Sequence, residues 1–290
     1  MAIGYSTGTV DSRAPDYIDS IVALEHNALA QDCFVMQEHF NAGLVAGGTF
    51  PQTLITATAY SDNMAQVTLT GTAPTGKRVV STLGHPGQWT LNTLTTASNK
   101  SMISIGPTGT LEWQTGFFGK LAFRALVLTG SVIPVGAVGA TTYGEYRIGF
   151  TDTINSLAPV NGIEWVFDVA VDAHWSLILT KASTATKTVS TITVAASTWY
   201  DLQLYVDASG VQARAAIFSA TALPTLLAGG PFVTNQPLTT TAMIPHILIM
   251  NGTAGVTDMA LTADLMELAG QYVTTGLGAN YRGHDLTRSF

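Results

Sequence analysis

A chain of 290 residues is long enough to bury a sizeable core, as one large domain or two small ones. Its net charge is −7 and its basic residues are scattered, with only Arg13 ahead of Lys77, so no basic stripe exists to neutralise phosphates and nucleic-acid binding is not expected. The single cysteine, Cys33, excludes an internal disulfide and any cysteine-rich metal site.

Residues 1 to 15 are polar and glycine-containing and read as a flexible arm. The start lacks a basic region followed by an apolar one, so no signal peptide is expected and synthesis in the cytoplasm is. From Asp16 the apolar residues Tyr17, Ile18, Ile21, Leu24, Ala28 and Leu29 recur at helical spacing, with Asp16 placed to cap the first turn; this predicts a helix over 16–30. Such a helix either covers one end of the domain or docks on another subunit. Asp32 to Phe40 reads as a first strand or a linker.

Short strand candidates follow at Thr53 to Tyr60, Met64 to Thr70 and Arg78 to Leu83, then a pair at Gln88 to Leu94 and Ser101 to Ile105. Leu111 to Thr115 and Phe117 to Thr129 continue the sheet. The apolar stretch Leu121 to Ala140 carries Arg124, Pro134 and glycines, which suits two strands and a turn better than a spanning helix, so no membrane insertion is expected.

Between Glu145 and Phe218 four runs carry strand-period sequence: Glu145 to Phe150, Gly162 to Lys181, Lys187 to Val194 and Trp199 to Phe218. In the last run Tyr200, Leu202, Leu204 and Val206 share one face, while Trp199, Asp201, Gln203, Tyr205 and Asp207 share the other. The turn Ala208-Ser209-Gly210 then starts a second alternating segment, Val211 to Phe218, which makes a hairpin. Ile244 to Met250 and Asp258 to Leu268 form a last strand pair. After Gly270 nothing has a period, so 271–290 reads as an extended tail, either frayed or laid across a neighbouring subunit. Charged residues are only 11 % of the chain and threonine and valine are abundant, a composition for pleated surfaces. The expected fold class is all-β, an antiparallel two-sheet sandwich, over 35–270, preceded by an arm and helix over 1–34.

The segment Ser81-Thr-Leu-Gly-His85-Pro86-Gly87-Gln88-Trp89, with Thr93, Thr95, Thr96 and Ala97 after it, resembles a segment of tailed-bacteriophage virion proteins. Tyr146-Arg147-Ile148-Gly149-Phe150, Asn161-Gly162-Ile163-Glu164-Trp165 and Thr198-Trp199-Tyr200-Asp201-Leu202 follow it as they do there. The resemblance covers about 35–270 and implies a concanavalin A-like jelly roll with a virion structural or glycan-binding role. Leu94 stands where that family often has glycine.

A jelly roll also hosts glycosidases, so carboxylate spacing matters. On one continuous strand Glu164 and Asp168 lie roughly 13 Å apart, beyond the about 5 to 9.5 Å that hydrolysis uses, and Asp168 with Asp172 fail likewise. No enzyme is expected. The six histidines show no metal-ligand pairing, with His85 in a turn, and Asp152, Asn155, Asn161, Asp62 and Asn63 read as turn formers rather than calcium ligands, so neither metal nor cofactor is expected. Trp113, Trp165, Trp175, Trp199 and Tyr205 are strand aromatics that fill a core or stack on sugars; Trp113, Trp175 and Tyr205 are the glycan-contact candidates. Tyr17, Ile21, Leu24, Tyr272, Tyr281 and Phe290 are the assembly-contact candidates.

Two functions remain open at this point. One is a capsid decoration or cement subunit, located in the virion, held to other virion proteins, chiefly the major capsid protein, by its terminal segments. The other is a receptor-binding tail- or head-fibre protein that recognises a host glycan. A homo-oligomer is expected in either case, a trimer by analogy with fibre and cement proteins.

Overall fold

The computed structural model describes residues 33–38, 40, 59–60, 65–71, 75–79, 87–105, 113–114, 118–133, 144–153, 158–168, 172–207, 213–219, 234–238, 240–252 and 258–272. The helix expected over 16–30, with Tyr17, Ile21 and Leu24, lies outside these residues, as do Tyr281 and Phe290.

Sixteen strands are described: β1 (Cys33–Glu38), β2 (Ala59–Tyr60), β3 (Ala65–Thr70), β4 (Thr75–Val79), β5 (Gln88–Asn92), β6 (Lys100–Ile105), β7 (Trp113–Gln114), β8 (Phe118–Thr129), β9 (Glu145–Thr151), β10 (Gly162–Asp168), β11 (His174–Lys181), β12 (Thr184–Thr193), β13 (Trp199–Asp207), β14 (Ala213–Ser219), β15 (Ala242–Met250) and β16 (Ala260–Tyr272). They form two antiparallel sheets. The seven-stranded sheet runs β14-β13-β8-β16-β5-β4, with β1 also on β16; the nine-stranded sheet runs β12-β11-β10-β9-β15-β6-β3-β2, with β7 also on β15. This is the jelly-roll sandwich that the alternation of apolar and polar residues demands, since each sheet has one face to bury.

Alternation sets the core directly. Tyr200, Leu202, Leu204 and Val206 of β13 and Leu121, Phe123, Ala125 and Val127 of β8 face Tyr146, Ile148 and Phe150 of β9, Ile163, Trp165 and Phe167 of β10 and Trp175, Leu177 and Leu179 of β11. The Trp165 indole N–H donates to the Gln203 carbonyl at 3.1 Å, tying the two sheets together. Trp175, expected as a glycan contact, has no exposed surface. Its ring lies 5.7 Å from Tyr200, 6.1 Å from Phe167 and 6.3 Å from Tyr146, so its aromatic area is spent on the core.

Three expectations change. The run from Gly162 to Lys181 is two strands, because the Asp172 amide bonds the Asp168 carbonyl at 2.8 Å and the chain turns back there. The distance arithmetic between Asp168 and Asp172 therefore does not hold. The expected pairs β5 with β6 and β15 with β16 do not pair with each other: β5 and β16 belong to the seven-stranded sheet, β6 and β15 to the nine-stranded one. Their connections cross the end of the sandwich, where Asn251 Nδ2 bonds the carbonyls of Leu94 and Thr96 and its Oδ1 accepts from the Thr93 hydroxyl at 2.8 Å. Finally, β16 runs through Tyr272, so the first two residues expected in the tail are strand; the Tyr272 backbone pairs with Phe118.

Leu94 sits at φ 54°, the left-handed conformation that glycine adopts freely. The turn is kept without the glycine because the Leu94 amide donates to Asn92 Oδ1 at 2.6 Å and the Leu94 carbonyl accepts from Asn251.

Candidate functional site

Two polar constellations lie on the faces turned away from the core. The first is on the seven-stranded sheet. Strand alternation that buries Tyr200 and Leu202 turns Trp199, Asp201, Gln203 and Tyr205 outward, and the register sets Leu128 beside Trp199, Leu126 beside Asp201, Arg124 beside Gln203 and Ala122 beside Tyr205. Arg124 reaches diagonally to Asp201. Its Nε donates to Oδ1 at 3.0 Å and to Oδ2 at 3.1 Å, and its Nη2 to Oδ2 at 2.8 Å, a planar fork on a carboxylate. The Gln203 amide N–H2 donates to both Asp201 oxygens at 3.2 Å, while its buried Oε1 has no partner. Trp199, the next residue of β13 on that face, is half-buried, and Leu126, Leu128, Thr262 and Thr90 on the same face are half-buried as well. Thr90 and Thr262 share a hydrogen bond of 2.6 Å across β5 and β16. A half-buried tryptophan, threonine hydroxyls and a planar ionic fork thus share one face of the sheet.

Tyr205 belongs to this face and is 7 % exposed, so it is a wall of the site rather than an open platform. The Trp113 side chain lies outside the described set, although its strand pairs with β15 at Met243. Of the strand aromatics whose side chains are described, Trp199 is more open than the candidates Trp175 and Tyr205. Its face partners Asp201 and Gln203 are visible in the sequence as every second residue. Arg124 is not, because only the β8–β13 register places it there.

The second constellation is buried on the nine-stranded sheet. Gly149 of β9 stands opposite Glu164 of β10 on one side and His246 of β15 on the other. A Cβ at position 149 would fall 2.2 Å from the Ile163 carbonyl, and the residue has φ 150°, so only glycine fits. With no side chain between them, His246 Nε2 meets Glu164 Oε1 at 3.2 Å. Arg147 joins the row: its Nη1 donates to Glu164 Oε2 at 2.7 Å and its Nε to Glu145 Oε2 at 2.8 Å.

Burial raises the Glu145 carboxyl to about 7, against the pull of Arg147 and with a push from Asp168. For Glu164 burial also works upward, but Arg147 and His246 together outweigh it and hold that carboxyl below its ordinary value. Two carboxyls driven apart in this way resemble an acid and base pair. Here, however, the Arg147 guanidinium stands between them, and the Glu164 and His246 side chains are each only 1 % exposed, so the arrangement is a buried ion-pair network and not a hydrolytic cleft.

Among the described residues no group of three His, Cys, Asp or Glu side chains is placed to hold a metal ion. Asp152 spends its carboxylate on turn bonds, accepting from Thr153 Oγ1 at 2.8 Å and Asn161 Nδ2 at 2.7 Å. Asn155, Asp62 and Asn63 lie outside the described residues.

With this architecture in place, comparison adds a family. The model of the SO2946-like, C-terminal domain matches residues 108–265, over half of the chain. The chain belongs to that family. A protein of unknown function, SO2946 from Shewanella oneidensis MR-1, shares the fold at TM-score 0.56 with 18 % identity, over 84 % of this chain and 89 % of that one. Peanut lectin with a 9mer peptide reaches TM-score 0.48 at 9 % identity, over 84 % and 99 % of the two chains. The carbohydrate recognition domain of Emp46p, potassium-bound, reaches 0.43 at 8 % identity, over 71 % and 88 %. No curated protein matches the chain at significance. The family match covers β7 to β15 and β16 as far as Leu265, including Arg124 and Asp201 of the first constellation and all four members of the second.

Proposed function

We propose that the chain is a non-catalytic glycan-binding subunit whose recognition face is the outer side of the seven-stranded sheet. One observation carries this reading: Trp199 is half-buried on the same face as the Arg124–Asp201 fork and Gln203. An indole offers an apolar plane to the C–H side of a sugar ring, and the neighbouring amide and fork meet its hydroxyls. Because Arg124 is already neutralised by Asp201, the face suits a neutral sugar over an anionic one. A glycan array probed with the full chain tests it: bound neutral glycans support the reading, and an array without signal overturns it.

The second reading places the chain in a bacteriophage particle as a structural subunit, with the major capsid protein as its neighbour. The favouring observation is β12, a ten-residue strand at the end of the nine-stranded sheet that is exposed along most of its length and suited to assembly. Immunogold labelling of intact particles tests this placement. Label over the heads supports a decoration role, label at tail or fibre tips supports host recognition, and unlabelled particles remove the virion from the account.

A further inference from the structure

We infer, on the footing of the glycan reading proposed above, that the outer face of the seven-stranded sheet takes an extended neutral oligosaccharide lying across the strands, about three rings or more, and not a single terminal sugar. Register builds a strip for it. Trp199 of β13 stands beside Leu128 of β8, Leu128 beside Thr262 of β16, and Thr262 beside Thr90 of β5. Alternation turns all four outward, because Tyr200, Val127, Leu261 and Leu91 next to them are core. All four are half-buried, and none is charged.

Exposure marks the course of the strip. Along one flank Ala260 and Asn92, partners on β16 and β5, are half-buried as well. Along the other the face closes, since Leu265, Gln203 and Glu267 are buried. With neighbouring strands about 4.8 Å apart, the way from β13 to β5 is roughly 14 Å. A hexose unit in a chain is about as long as one strand spacing, so roughly three to four rings fit between the indole and the threonine pair.

The side chains change character along this line. Trp199 and Leu128 offer apolar surface to the C–H side of a ring. Thr90 Oγ1 and Thr262 Oγ1 lie 2.6 Å apart, so one hydroxyl donates to the other and the pair keeps an O–H and lone pairs for sugar hydroxyls. A strip in the middle of a sheet face covers only one side of each ring, so affinity has to accumulate over several rings. An extended peptide is a poorer occupant: β8, β16 and β5 each have a strand on both sides, and their backbones offer no edge to an added strand. An anionic chain is disfavoured because Arg124 is already forked on Asp201.

An array of cello-, manno-, xylo- and malto-oligosaccharides from one to six rings, with oligogalacturonides as the acidic series, tests this on the full chain, and calorimetry on the bound series gives Kd. Affinity for a neutral series is expected to rise roughly fivefold per ring and to level off at about four rings. Thr90→Val keeps a branched strand side chain and loses the hydroxyl, so it raises the four-ring Kd to roughly the three-ring value at an intact melting transition. One ring bound as tightly as four overturns the extended ligand and leaves the glycan reading standing, as does a Thr90→Val loss that is equal at every length. Tighter binding of the oligogalacturonides overturns the neutral class. An array silent in every series overturns the extended ligand together with the glycan reading itself.

Discussion

Arg124 of β8 holds Asp201 of β13 through two nitrogens, across a sheet face where the half-buried Trp199 lies two register positions away. The pair is partly open, its side chains 33 % and 17 % exposed, so it contributes only about 1 kcal/mol to folding. Its role is geometric. Arg124→Lys keeps the charge and loses the fork, so sugar affinity is expected to fall about tenfold while the melting temperature moves by a few degrees at most. Titration calorimetry beside a thermal melt reads both.

The Glu145–Arg147–Glu164–His246 row makes the opposite case, because it is buried. Removing one partner strands a charge: Arg147→Met is expected to cost about 3–5 kcal/mol in urea unfolding. A smaller or absent loss would show that the row is not a folding element.

The pH response of the same row has a defined sign. The folded Glu145 carboxyl holds its proton up to about 7, against 4.5 unfolded, so its contribution is full below about pH 4.5 and is lost as pH climbs towards 7. Integrated, this is about 3 kcal/mol. Glu164 acts in reverse, its stabilisation present above the ordinary carboxylate range and lost in acid. Glu145→Gln is therefore expected to flatten the stability decline between pH 4.5 and 7, measured by urea unfolding across that range, and to leave the acid limb in place.

The end of the sandwich depends on Asn251, which bonds two carbonyls and one hydroxyl of the Thr93–Thr96 turn from inside the protein. Asn251→Ala leaves those groups unmet and is expected to cost about 2–3 kcal/mol. Leu94→Gly relaxes the positive φ of the same turn, and in the Asn251→Ala background it recovers about 1 kcal/mol of that loss.

Much of this fold is written in alternation. The burial of Tyr200, Leu202, Leu204 and Val206, and the outward turn of Trp199, Asp201 and Gln203, follow from a period of two. Partner choice does not. β15 and β16 are neighbours in the chain and sit in different sheets, because the turn between them crosses the sandwich and no local pattern records the crossing. The break after Lys181 is legible, but the tightness of the β11–β12 turn is not: Ala182 and Ser183 take φ of 47° and 64° without glycine or asparagine, held by Asn161 Oδ1 on the Ala182 amide and the Val160 carbonyl on the Ser183 amide. Likewise the buried row needs three strands in register, with Gly149 as the gap that lets Glu164 and His246 meet. Trp175 shares its strand face with Leu177 and Leu179, and Trp199 with Asp201 and Gln203, so the period of two already separates core from surface for these two.

The most direct measurement is glycan binding by the wild type beside Trp199→Ala, each shown to be folded by its melting transition. The account predicts that the wild type binds a neutral glycan and that the variant loses about 2 kcal/mol, roughly thirtyfold in Kd. A variant that binds as tightly as the wild type would contradict it.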